Sequence, residues 1–151
     1  MAASTHGILI ALSSKRLALL EADPETLEDV VEARHEDAIP GLLDLRTYWE
    51  PLDTLLSGRG RDEILGDVLL ARSGKNLSVD NAFESARVLS PQRVAEISAK
   101  LNELTMPTFK ERAQTLGKAK DMDQLLALYK QILALYDGAA KAKQSMLCIL
   151  V

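Results

Sequence analysis

His6 and His35 are the only imidazoles in the chain, and Cys148 is its only thiol. That inventory bounds the chemistry at once. No pair among the three has the short spacing a zinc site needs, so no metal is expected. One cysteine excludes an internal disulfide. Gly58-Arg59-Gly60 is too short for a phosphate-binding loop, and no Lys-Ser/Thr follows it. The strand–turn–helix elbow of a serine hydrolase is also missing. His6 sits in a small, polar terminus and His35 beside an acidic stretch, where a solvated role is expected of both. The expectation is no catalytic residue and no cofactor.

What remains is charge. Between Glu21 and Asp37 stand eight acids (Glu21, Asp23, Glu25, Glu28, Asp29, Glu32, Glu36 and Asp37) against one base, Arg34. Over the whole chain 18 basic and 22 acidic side chains leave a net −4, so this one segment carries more than the full excess. Like charges on neighbouring helical turns repel by a few tenths of a kcal/mol per pair. A field of one sign also speeds and orients encounter with a basic partner. Glu25, Glu28, Asp29, Glu32, Glu36 and Asp37 are therefore the expected partner-binding residues. The competing reading is a solvated face that only aids solubility. The net negative charge disfavours direct nucleic-acid binding, because phosphate is repelled at long range.

A second constellation is Arg46, Trp49, Asp53 and Arg87, polar groups around the only Trp. They form the alternative reading: a pocket between the Trp49 helix and a polar loop over 72–86, serving a small ligand or an unknown enzyme activity. Trp49 shares a helical stripe with Leu45, Leu52 and Leu56 and reads as a core anchor; the rival reading is an interface hot spot. Leu128 and Leu135, off the main stripe of the last helix, mark a third possibility, a homodimer face. The oligomeric state is left open.

The elements that must position these groups follow from pattern. Gly7 to Leu12 is a short continuous apolar run and predicts a buried strand. Ser13 caps a short helix carrying Leu17, Leu19 and Leu20. Asp23-Pro24 restarts the chain as a helix with Leu27, Val30 and Val31 on one side and the acids opposite. Asp44 is expected to cap a helix that Gly58 ends. Ile64 to Leu70 fits a short helix or a strand. Ala86 to Leu89 fits a short strand, and Ser90-Pro91 is a strong helix start that Pro107 closes. Thr108 caps a segment through Gln114. Met122, Leu125, Tyr129, Ile132 and Tyr136 mark the clearest helix, from Asp121 to a stop at Gly138. Ser145 to Val151 predicts a final buried strand. Cys148-Ile149-Leu150-Val151 also has the outline of a prenylation box, but the strand accounts better for an apolar run that starts before the cysteine.

The expected architecture is a single α+β domain, residues 1–151, whose small sheet includes the N- and C-terminal strands and is covered by several helices. No apolar run reaches the ~18 residues of a membrane span. The polar start lacks the basic and apolar regions of a secretory signal, so a cytoplasmic location is expected.

Several stretches resemble one family. Tyr48 to Gly58 (YWEPLDTLLSG) is similar to the Trp-x-x-Leu-His-x-Leu-Leu-x-Gly helix of the YfbM-like family of small bacterial proteins, a domain of unknown function. Ile64-Leu65-Gly66, Ala86 to Val94, Met146 to Val151 and the opening Gly7 to Ala11 continue the resemblance in order. It implies an α+β fold. Asp53 stands where that family has His, which removes the one position suited to proton chemistry. The family's Tyr-Pro segment has no counterpart between Phe109 and Asp121. Some relatives look like immunity proteins of bacterial toxin systems. By analogy the resemblance implies a non-enzymatic inhibitor whose partner is a basic protein such as a secreted toxin.

Overall fold

In a computed structural model of the chain, the structure describes residues 6–23, 26, 29, 31, 41–58, 62–76, 85–115, 117 and 121–151. The first strand, β1 (Gly7–Leu12), leads through Ser13 into helix α1 (Ser14–Ala22), and the Ser13 hydroxyl accepts from Arg16 N as a cap should. Strand β2 (Leu42–Arg46) and helix α2 (Trp49–Ser57) come next, then the short helix α3 (Asp67–Leu70). Strands β3 (Lys75–Asn76) and β4 (Ser85–Leu89) precede helices α4 (Pro91–Glu103), α5 (Met106–Thr115) and α6 (Met122–Lys141). Strand β5 (Ser145–Leu150) ends the series.

The five strands form one antiparallel sheet in the order β2-β1-β5-β4-β3. The two terminal strands are thus direct neighbours, paired from Gly7↔Leu150 to Leu12↔Ser145, and the ladder runs on through His6 and Val151. Register sorts the side chains into two buried faces, as strands apolar on both sides require. Ile8–Ile149–Ala86 and Ile10–Leu147–Val88 are cross-strand rows on one face. Leu9–Cys148 and Ala11–Met146–Leu89 lie on the other. Helices α2 to α6 cover this second face with Leu55, Val68, Ile97, Phe109 and Tyr136 among the fully buried side chains. Leu17 and Leu20 of α1, with Val31, cover the first. The α+β expectation is met, with the sheet between unequal layers.

Several local expectations are corrected. Asp44 does not cap a helix; it lies in β2 opposite Ile8, and α2 starts only at Trp49. The alternation Leu43-Asp44-Leu45 suits a strand beside β1, and Leu45 is fully buried there. Arg46, at φ 54°, ends the strand. Pro107 does not close α4 but occupies the first turn of α5, where a missing N–H costs nothing. Gly138 does not stop α6, which runs to Lys141. The left-handed turn falls instead on Lys143 (φ 56°), while Ala139 packs in the core. Residues 72–86 are not one loop: β3 and the start of β4 lie within them, and 77–84 are outside the described residues. Ile64–Leu70, open on the sequence, is a turn followed by α3. Cys148 is buried in the sheet's central strand, in keeping with the strand reading of the last residues. Leu128 and Leu135 are half-buried against the core.

Candidate functional site

Of the acidic set, Glu25, Glu28, Glu32, Glu36 and Asp37 lie outside the described residues. Asp29 is helical and exposed, as is Thr26, while Val31 on the same stretch is 2% exposed and packs on the sheet. At 100° per residue Asp29 stands 160° from Val31, so these residues define an inward and an outward side. Glu21, at the end of α1, is bound by Lys75 Nζ at 3.1 Å on the surface.

The second constellation is divided by the sheet. Asp53 and Arg87 both converge on Arg72: Arg72 Nη2 donates to Asp53 Oδ2 at 2.9 Å, and Arg87 Nη1 donates to the Arg72 carbonyl at 2.9 Å. Asp53 Oδ1 is buried and has no partner among the described residues. Burial pushes the Asp53 carboxyl up, and the Arg72 charge and hydrogen bond only partly offset it. Arg46 belongs to β2, and β1 and β5 stand between it and Arg87 on β4. Trp49 packs half-buried at the start of α2, and a Cβ on Gly7 would come within 2.5 Å of its own Cβ. Glycine at position 7 is what lets α2 approach β1 so closely.

Arg72 also borders a small pocket of about 300 Å³ whose chemistry the sequence reading missed. Asp67 opens α3 there and is 1% exposed. Its Oδ1 accepts from Ser73 N at 2.9 Å, and its Oδ2 from Ser73 Oγ at 2.5 Å and Arg93 Nε at 2.8 Å. Burial works against its charge, but the Ser73 hydroxyl and amide and the Arg93 guanidinium outweigh it and hold the carboxyl below its usual value. The cluster ties α3 to the start of α4. Behind it Tyr136 Oη and Cys148 Sγ both donate to Val68 O, and burial pushes the thiol up to about 12. A lone carboxylate inside Ile64–Leu70 was the available signal, since a charge in an apolar run needs a partner.

A cleft of about 940 Å³ lies between the C-terminal half of α2, the turn at Asp62–Ile64 and helix α5, with Lys100 of α4 on its wall. Asp62 Oδ1 accepts from Ile64 N and Leu65 N and fixes the turn. Arg112 Nη1 reaches back from α5 to the carbonyls of Leu55 and Leu56, which the end of α2 leaves open. Thr54, Ser57, Glu63, Thr108, Glu111 and Thr115 add polar lining. Among the described residues no three His, Cys, Asp or Glu are placed to hold a metal ion, and no helix is long and apolar enough to cross a membrane.

Residues 4–149 match the family model described as "Domain of unknown function (DUF1877)". The fold is similar to that of a crystal structure described as a protein of unknown function, YfbM from Escherichia coli. The TM-score is 0.69 at 13% identity, over 97% of this chain and 99% of that one. At that identity the likeness is one of fold. No curated protein matches the sequence.

Proposed function

The chain belongs to the DUF1877 family, and we propose that it is a non-enzymatic protein-binding module. In this reading it is a cytoplasmic inhibitor of the immunity type, which neutralises a basic bacterial toxin by meeting it with the acidic stretch Glu25 to Asp37. The reading rests on one observation: Val31 is anchored in the core while Asp29 on the same stretch is exposed. With Val31 packed in the core, the exposed Asp29 carboxylate is held at the surface, where a fixed charge orients encounter with a basic partner.

The test uses affinity capture from the source cell with the wild-type chain, followed by association kinetics of the captured protein. Reversing Glu25, Glu28, Asp29 and Glu32 to Lys lowers the on-rate about tenfold or more and flattens its dependence on ionic strength. An unchanged on-rate and salt slope, or a captured partner without a basic surface, overturns the reading.

A further inference from the structure

Helix α1 buries one apolar side and leaves another in solvent. Leu17 and Leu20 pack on the sheet, while Leu19 is 62% exposed, more than any other large apolar side chain among the described residues. Ala18 and Ala22 lie exposed beside it. Lys15, Leu19 and the C-cap residue Asp23 follow at four-residue steps, so they share one outward side. The charges along this helix run against its own dipole. Its first turn holds Lys15 and Arg16 and no acid, and its end holds Glu21 and Asp23 and no base. Cations at a helix N-terminus and anions at its C-terminus are disfavoured within one chain. Lys75 Nζ meets Glu21 at 3.1 Å, but Lys15, Arg16 and Asp23 have no ion pair among the described residues.

We propose that α1 docks antiparallel on α1 of a second copy of this chain, about a two-fold axis beside Leu19. Lys15 and Asp23 stand four residues to either side of Leu19. Antiparallel pairing therefore sets Lys15 of each copy against the partner's Asp23, and the two Leu19 side chains cover each other. The same arrangement lays the positive first turn of one helix along the negative end of the other, which relieves the adverse dipole in both. A partner of one charge would satisfy only one end of this helix. A second copy satisfies both, because a two-fold axis uses the same patch twice. A helix of nine residues is about 13 Å long and buries less than the ~800 Å² per partner of a standard interface, so the dimer is a weak one. The net charge of −4 on each copy also works against association. The inference does not depend on the stretch from Glu25 to Asp37.

Sedimentation equilibrium of the intact chain, from ~10 µM to ~2 mM, tests it. The expected result is a monomer–dimer equilibrium with a dissociation constant of roughly 10⁻⁴–10⁻³ M. Leu19→Lys, at an exposed position, weakens self-association about tenfold or more. Lys15→Glu alone and Asp23→Lys alone each set like charges opposite one another at both contacts and weaken it about tenfold. Mixed in equal amounts, these two variants bring opposite charges together at both contacts and form a heterodimer as readily as the wild-type chain forms its dimer. A chain that stays monomeric at about 2 mM overturns the proposal and frees this face for a different protein. So does a dimer that Leu19→Lys leaves intact, or a mixture of the two charge variants that associates no better than either alone.

Discussion

Asp67 is a buried carboxylate and Asp53 a half-buried one on the neighbouring helix, each facing an arginine, and their environments push them in opposite directions. Asp67 is met by Ser73 twice and by Arg93, so its charge is favoured in the folded chain. The stability it contributes is present above the ordinary value of 3.8 and is lost as pH falls through the folded value below it. Asp53 has one oxygen without a partner among the described residues, and its Arg72 is half exposed. Its folded value lies above 3.8, so ionising it costs stability, and that cost appears as pH rises through the folded value. Asp67→Asn is therefore expected to destabilise by about 3 kcal/mol at neutral pH, because Arg93 keeps only Glu96 as a charged partner. Asp53→Asn is expected to stabilise at neutral pH, water solvating the half-exposed Arg72. Both differences from wild type shrink below pH 3.8. Urea midpoints at acid and neutral pH check both signs; a stabilising Asp67→Asn or a destabilising Asp53→Asn at neutral pH contradicts this account. The Asp53–Arg72 pairing was beyond sequence reading, since 19 residues separate the two and nothing in the spacing joins them.

Element by element, the sequence was most legible where local chemistry decides and least where the sheet does. Ser13 and Ser90 cap α1 and α4 as their types predict, and Gly58 ends α2 in the left-handed region. Both terminal strands were readable because an apolar run too short for a helix has few other fates. Residues 42–46 were misread because a strand at the sheet edge is fixed by its partner β1, which spacing within the segment does not reveal. The 940 Å³ cleft was invisible for a related reason: α2 and α5, some fifty residues apart, form its walls only once both pack on the core. Gly138 was misread because glycine near a helix end usually stops it. Here its φ is not positive, α6 continues past it, and a Cβ would meet nothing within 4 Å. Gly138→Ala is therefore expected to stabilise by roughly 0.5–1 kcal/mol through helix propensity, raising Tm by about 2–3 °C. A lowered Tm would show that the space beside α6 is occupied.

For the molecule as a whole, the sheet is a shared floor for two cores, and Cys148 sits at its centre. The thiol is 2% exposed, donates to Val68 O, and is raised to about 12, so almost no thiolate forms near neutral pH. Labelling by a disulfide reagent is expected to follow global unfolding, accelerating with urea in step with loss of circular dichroism. Rapid labelling of the native chain would mean that β5 opens locally. The order β2-β1-β5-β4-β3 has a further result for synthesis. As the nascent polypeptide leaves the ribosome, β1 and β4 emerge well before the strand that joins them. Until residues 145–150 arrive, each presents an open hydrogen-bonding edge and an oily face, the combination that invites aggregation. A stop codon shortly before Ser145 would therefore not trim an end. It would remove the keystone and leave a product for chaperones and proteases to clear.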